Sequence, residues 1–432
     1  MINRHLVRFL FVVLAALSGT QSLAQDAFPR LGGYLIGAPQ NYEDPAYQLQ
    51  MAKLDVVVLG VWPGWESGRG TTFEQVIRNI KSRNPQTRVF QYILNEAVTT
   101  NTSAYPEVQQ KVREMSWWLY PTASCCSAVP SFWGGHNTIN NTAFSPRDAN
   151  GDRWIDWYAK WSVERYFKPN PSLDGFFTDN FFWKPRVDGD WNRDGVKDSA
   201  GDPTVQRWQR EGLRQHVDLL RNLMPGKLQI GNTADWGASN ANITEFRGAL
   251  NGGVMEALLG YSYSPETWGS WGEMMAQYRR QIGAMASPRL AIFHQNGDPR
   301  NYQEFRYGFA SCLMDDAYYY FSTDDSYHGV NWFDEFDAEL GKAVSSPPTS
   351  AWSSGVFRRD FENGIVLVNP KGNGTRTVQL ESEYRRVNGK QDPTTNNGQA
   401  TRSVTLKDRD GIVLLRAVSL PRPLPPAGLQ VE

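Results

Sequence analysis

Two carboxylates sit inside apolar runs, where a charge is expensive to bury. Residues 174–180 read Asp-Gly-Phe-Phe-Thr-Asp-Asn, a short strand-forming run that ends in Asp179 and Asn180. Residues 252–260 read Gly-Gly-Val-Met-Glu-Ala-Leu-Leu-Gly and carry Glu256 among Met255, Ala257 and Leu258. A carboxylate at the C-terminal tip of a buried parallel strand is where barrel enzymes place reacting groups. A pair of such carboxyls suits glycosidic bond cleavage: one protonates the leaving oxygen, the other attacks the anomeric carbon or activates water. Asn180 and the polar loop beside Asp179 favour its charged form, so Asp179 is the expected nucleophile or base. The apolar neighbours of Glu256 make it the expected acid. The alternative for each is a structural ion pair with a nearby arginine, since an unpartnered buried charge would be costly.

Other polar and aromatic residues fall at strand ends or in the loops that follow them. Asn95-Glu96, Asn232 with Asp235-Trp236 after it, His294-Gln295-Asn296 and Asp324-Asp325 occupy such places. Asn95, Asn180, Asn232 and His294 are therefore expected to contact substrate hydroxyls; a satisfied core histidine is the alternative for His294. The chain has 16 Trp, and Trp62, Trp183 and Trp236 follow strands, where their faces could stack on sugar rings. Core or rim packing is the competing reading for each. One loop carries a different chemistry. Asp190, Asn192, Asp194 and Asp198 stand at positions one, three, five and nine of a calcium loop, with Gly195 at six and the Val196 carbonyl at seven. Position twelve is Gly201 rather than Glu, and Asp202 comes one residue late. The expectation is a structural Ca2+ pinning a loop beside the cleft, against a solvated acidic turn. Asp148-Ala-Asn150-Gly-Asp152 is shorter and reads as a turn with a helix cap.

These residues need elements to position them. Strand-like runs at Leu31–Gly37, Leu54–Trp62, Arg88–Asn95, Gly175–Asp179, Lys227–Asn232, Gly253–Leu259, Arg289–Gln295 and Tyr318–Ser322 alternate with helical spacing. The helices are expected over Tyr42–Lys53, Phe73–Ser82, Tyr105–Leu119, Trp154–Phe167, Val205–Leu223, Trp271–Ile282 and Tyr302–Met314, with only a short one at Ile243–Leu250. Eight such units predict a (β/α)8 TIM barrel. A doubly wound open sheet competes, but no glycine-rich phosphate fingerprint follows the first strand. Beyond a Ser/Pro-rich linker at 345–350 the texture changes to short alternating runs, which predict a small C-terminal antiparallel β-sandwich.

The domain reading is thus residues 1–24 as signal peptide, 25–344 as barrel, 350–420 as sandwich and 421–432 as a Pro-rich tail. Arg4, His5 and Arg8, then the apolar run Phe9 to Leu17 and the small-x-small site Ser22-Leu23-Ala24, give the secretory signal. The expected location is periplasmic or secreted, with no membrane span in the mature chain. Lys+Arg 44 against Asp+Glu 45 leaves a net charge of −1 with no basic run, which argues against nucleic acid as a partner. Three cysteines, Cys125, Cys126 and Cys312, form no framework. A vicinal bridge, a bridge to Cys312 and a buried free Cys312 all stay open. Five histidines give no zinc spacing and no Gly-x-Ser-x-Gly elbow occurs.

The ordered motifs resemble the bacterial barrel families known as hypothetical glycosyl hydrolases. The resemblance lies in Asp174 to Asn180, Gly253 to Glu256, the Trp-Phe-Asp-Glu-Phe segment from Trp332 to Gly341, and the run from Arg359 to Pro370. It implies a TIM barrel with a C-terminal β-sandwich, and catalytic roles for Asp179 and Glu256, but does not fix the substrate; the carboxylate pair and the aromatic residues make a polysaccharide or oligosaccharide the expected one. A non-catalytic carbohydrate-binding barrel and a polysaccharide deacetylase are the alternatives.

Overall fold

The computed structural model describes residues 27–62, 64–122, 127–234, 236, 244–323 and 327–416. The signal segment, Cys125, Cys126, Asp235, Asp324, Asp325 and the Pro-rich tail lie outside the described residues.

Eight parallel strands form one sheet: β1 (Gly32–Tyr34), β2 (Val56–Leu59), β3 (Arg88–Leu94), β4 (Gly175–Asp179), β5 (Leu228–Asn232), β6 (Gly252–Leu259), β7 (Leu290–Asn296) and β8 (Tyr318–Ser322). They pair in sequence order, and a parallel bridge from Leu31 to Tyr319 closes β8 onto the start of β1. The result is a TIM barrel. Strands buried on both faces read as unbroken apolar runs. In β2 Val56, Val57, Val58 and Leu59 are all fully buried, each stabilising the fold by roughly 1.5–3 kcal/mol. Small residues let neighbours close up: a Cβ on Gly253 would lie 2.1 Å from the Gly231 carbonyl oxygen.

The helices between strands are α1 (Pro45–Met51), α2 (Phe73–Arg83), α3 (Pro106–Glu114), α4 (Trp154–Ser162), α5 (Pro203–Leu223), α6 (Trp271–Ala284) and α7 (Tyr302–Leu313). Their ends follow capping chemistry. Thr72 accepts the Gln75 N–H at 3.2 Å to start α2, and Asp202 accepts that of Thr204 at 2.7 Å to start α5, whose first residue is proline. The helical run after Arg153 ends in a π-turn, Val163–Phe167. Between β5 and β6 the described residues hold only a 3-10 turn, Thr244–Phe246.

The C-terminal region is antiparallel: β9 (Phe357–Phe361), β10 (Gly364–Asn369), β11 (Arg376–Arg386), β12 (Ala400–Leu406) and β13 (Asp410–Arg416), ordered β9-β10-β13-β11-β12. Alternation gives it two apolar faces. Val366, Val368 and Val413 join the barrel's core. Ile365, Leu367, Ile412 and Leu414 turn the other way and share a separate core with Val378, Leu380, Val404 and Leu406. The register of β11 shifts between Gln379 and Tyr384, so one bent sheet supplies both layers of a sandwich-like unit. It docks on α7 through Gly411, where a Cβ would lie 2.5 Å from that of Ala310. Cys312, in α7, is buried and free.

Candidate active site

Asp179 ends β4, and its carboxylate is buried. The next residue, Asn180, turns the chain with φ +53°, a conformation asparagine tolerates better than most. The Tyr92 hydroxyl of β3 donates to Asp179 Oδ2 at 2.6 Å, and the Asn232 side-chain amide at the tip of β5 donates to Oδ1 at 3.0 Å. The same Asn232 nitrogen lies 2.7 Å from Glu256 Oε2. One amide therefore joins both carboxylates, and their nearest oxygens are closer together than the sum of those two distances. The Tyr327 hydroxyl donates to the other Glu256 oxygen.

Glu256 is aimed by a bulge. Met255 pairs with Phe293 and Leu259 with Gln295, so three residues of β6 oppose the single residue His294. Ala257 takes φ +57°. Its N–H donates to His294 Nδ1 at 3.1 Å, and Ser264 Oγ donates to its carbonyl at 2.7 Å. With Nδ1 accepting, His294 is the Nε2–H tautomer and donates to Ser322 Oγ at 2.8 Å. Burial holds its pKa down to about 3, so it stays neutral. His294 therefore holds the bulge, with both nitrogens engaged inside the protein.

Burial pushes the Asp179 pKa above the usual carboxylate range, against the pull of Tyr92, the Asn180 N–H and Asn232. Burial, and then the charge of Asp179, raise Tyr92 well above its ordinary value, so Tyr92 is a donor rather than a base. A third carboxyl stands close by. Glu96, just beyond β3, is buried and accepts from Ser131 Oγ at 3.2 Å and from the Asn180 side chain at 3.3 Å. Burial and the charge of Asp179 raise its pKa to about 7, against the Ser131 and Asn180 hydrogen bonds and Arg186.

A cavity of about 1070 Å³ opens over this pair; Trp62, Tyr92, Asp179, Glu256 and Tyr327 line it. Trp62 packs edge-on against Tyr92, with ring centroids 5.5 Å apart. The other candidates spread further. Asn95 is fully buried and accepts from the Trp154 indole at 2.8 Å, behind the strand end. Trp236 is buried, stacks on Phe246 and donates to the Phe181 carbonyl; it belongs to the core rather than to the sugar face. Trp183 packs beside that same cluster. Tyr92 faces inward two residues before the tip of β3, a place that strand alternation marks. Tyr327, Phe132, Trp133, Tyr263 and Trp268 also reach the cavity, but from loops with no period to flag them.

The acidic loop folds as a chain of turns. Asp190 Oδ2 accepts the Gly195 N–H at 3.0 Å, Asp194 Oδ1 that of Val196 at 2.8 Å, and Asp198 Oδ2 that of Trp191 at 2.8 Å. Asn192 and Asp194 bond each other, and Gly195 takes φ +90°. Asp190 is 6% exposed and its Oδ1 has no partner, an oxygen a cation would satisfy. No three acidic, His or Cys side chains among the described residues converge as a metal cluster. At 148–152, Asp148 accepts the N–H groups of Asn150 and Asp152, while the side chain of Asp156 reaches back to the Arg153 N–H to start α4.

Residues 81–365 match the family described as hypothetical glycosyl hydrolase family 15, a span that holds Tyr92, Asp179, Asn232, Glu256 and Tyr327. Among solved structures, an α-amylase of Anoxybacillus is similar with a TM-score of 0.49 at 10% identity, over 92% of this chain and 99% of that one. The glycoside hydrolase domain of PelA from Pseudomonas aeruginosa is similar with a TM-score of 0.42 at 13% identity, over 71% and 98%. The debranching enzyme of Nostoc punctiforme gives 0.44 at 10% identity, over 87% and 88%. No curated protein matches the chain. Among the described residues no helix is long and apolar enough to cross a membrane. With two thirds of its length matched, and Asp179 and Glu256 both inside the match, the chain belongs to hypothetical glycosyl hydrolase family 15, a family of glycoside hydrolases.

Proposed function

We propose that this glycoside hydrolase cleaves a polysaccharide by a two-carboxylate mechanism with retention, Asp179 acting as nucleophile and Glu256 as acid and then base. The observation that carries this is the Asn232 nitrogen held 3.0 Å from Asp179 and 2.7 Å from Glu256. That bridge favours the roughly 5–5.5 Å carboxyl gap of retaining enzymes over the roughly 6.5–9.5 Å of inverting ones. The hydrogen bonds and the exposure of the pair support the roles. Tyr92, the Asn180 N–H and Asn232 favour the carboxylate form of Asp179, as a nucleophile requires, against the burial that raises its pKa. Glu256 is partly buried and lines the cavity, where it can reach a leaving oxygen and then a water.

Calcium belongs to this reading as a structural ion. Asp190, Asn192, Asp194, the Val196 carbonyl and Asp198 would hold it, and it would tie the loop after β4 without entering the reaction. The residues from Arg4 to Ala24 support export, with a mature chain beginning near Gln25.

A polysaccharide panel with mass-spectrometric product analysis finds the substrate. On it, Asp179→Asn and Glu256→Gln should each lose about 10³-fold or more in kcat while keeping the wild-type circular dichroism. Proton NMR of the first product should show the anomer of the substrate. Wild-type rates in Asp179→Asn would remove the assignment; the opposite anomer would remove retention.

A further inference from the structure

The described residues hold seven aromatic side chains that are more than a third exposed: Trp62, Phe132, Trp133, Phe144, Tyr263, Trp268 and Trp352. Leaving such faces in water forgoes burial energy, so clustering among them marks a binding surface. Five of the seven line the one cavity over Asp179 and Glu256.

Their distribution around the ring is uneven. Trp62 follows β2, and Phe132 and Trp133 lie in the loop after β3, with ring centroids 4.7 Å apart. Tyr263 and Trp268 follow β6. In a closed eight-stranded barrel β6 stands four places from β2, across the mouth. Asp179 on β4 and Glu256 on β6 therefore lie on the path between two aromatic groups. Both groups are fixed to the machinery. Trp62 abuts Tyr92, which donates to Asp179. The loop with Tyr263 and Trp268 hangs from the bulge that aims Glu256, through Ser264 Oγ to the Ala257 carbonyl. Within the same segment Glu266, 2% exposed, accepts from Arg409 of the C-terminal unit at 3.0 Å. The charge of the lining matters too. It carries Asp179 and Glu256 against one arginine, Arg186, whose guanidinium lies 4.0 Å over the ring of Phe182.

We infer that the cavity is an open cleft for the interior of a glycan chain without acidic groups, with sugar-binding platforms at Trp62/Phe132/Trp133 on one side of the cleavage point and Tyr263/Trp268 on the other. Stacking on aromatic faces at both ends places sugars on both sides of the scissile bond, which makes the enzyme endo-acting. A polyuronate would bring a carboxylate at every unit toward the buried Asp179, where like charge is penalised most.

The inference rests on the proposed hydrolysis for its cleavage point, but its binding half is separable. Asp179→Asn is run in native gels containing soluble starch, β-glucan, xylan, galactomannan or polygalacturonate. Retardation is expected in at least one neutral polymer and not in polygalacturonate. In that background Trp133→Ala and Trp268→Ala should each weaken the apparent dissociation constant at least fivefold. Both side chains are exposed, at 46% and 60%, so the substitutions leave the fold intact, which a thermal melt checks. The wild-type enzyme is then given a reduced-end-labelled hexasaccharide of the retarding sugar. Internal cuts are expected, and the two Trp variants should shift the cut toward opposite ends. Release of single sugars from one end, no retardation in any neutral gel, or stronger retardation by polygalacturonate overturns the inference. Cleavage by Asp179→Asn at the wild-type rate would instead strike the catalytic reading and leave the gel result standing.

Discussion

The cleft and the seam between barrel and C-terminal sheet both bury carboxylates and treat them differently. In the cleft, Asp179 is held by neutral donors: a phenol, a side-chain amide and a backbone N–H. At the seam between the barrel and the C-terminal sheet, carboxylates meet guanidinium groups. Arg306 donates to Asp410 at 3.1 Å and to Asp392, and Arg409 to Glu266 and Glu304. Neutral donors fix a carboxylate in place without neutralising it, so its charge remains available to a reacting carbon. Arginine spends that charge on holding two units together. The seam also reaches the cleft, since Glu266 and Trp268 stand on one short helix, Pro265–Trp268.

Arg306→Met should produce the largest effect. Its side chain is 7% exposed and its removal leaves Asp410 and Asp392 half-matched in a dry seam. Breaking a buried pair in this way costs about 3–5 kcal/mol, read as a lower urea midpoint, while kcat of the folded fraction at 25 °C should hold. A loss of kcat without loss of stability would erase the contrast. Asn232→Leu is the mirror test. The substitution keeps the volume and removes the donor shared by the two carboxylates, so kcat/KM should fall by about 10²–10³, or roughly 2.7–4 kcal/mol. The melting temperature should move by no more than a few degrees.

The two regions also differed in how far the sequence revealed them. Apolar period and capping residues define β4, Gly175–Asp179, and β8, Tyr318–Ser322, to the residue, because a strand buried on both faces has no other way to be written. Asp179 and Glu256 stood out for the same reason, as charges in runs that should hold none. The bridge between them did not, since Asn232 differs from Asn95 only in which way the strand end faces. The glutamate's setting misled as well. Met255, Ala257 and Leu258 suggest an apolar surrounding, but the bulge turns Glu256 away from them toward Asn232 and Tyr327. The role of Trp236 depended on Phe181 and Phe246, which are distant in sequence and adjacent in space. The seam was half legible. The motif at Arg359 marked an arginine 2% exposed, and its partners, the Leu313 and Asp315 carbonyls, have no side-chain signature.

Calcium adds a third way to treat a buried carboxylate, by lending it a cation. If the ion fills the loop at 190–198, chelation should lower the melting temperature by a few degrees, the equivalent of about 2.7 kcal/mol at a hundredfold saturation. Asp190→Asn should melt like the chelated enzyme and ignore chelator. An unchanged wild-type melt in EDTA would end the calcium reading and leave Asp190 Oδ1 to be satisfied by water.

The smallest effect separates the two regions by sign. Burial, and then the charge of Asp179, raise Glu96 from the ordinary 4.5 to about 7. The folded chain then holds a proton that the unfolded chain has released. The stability this gives is full below about pH 4.5 and fades as pH rises through 7. Asp392 is shifted the other way: burial opposes it, but the Thr394 hydroxyl and the charge of Arg306 hold its pKa below the ordinary 3.8. Its contribution is present above that value and lost as pH falls. Melts from pH 2.5 to 8 should therefore show Glu96→Gln losing less stability than the wild type as pH rises from about 4.5 through 7. Asp392→Asn should lose less than the wild type as pH falls toward 3. If both variants bend the curve in the same direction, the cleft carboxyls are held as the seam carboxyls are, and the distinction between a charge kept ready and a charge tied down does not hold for this enzyme.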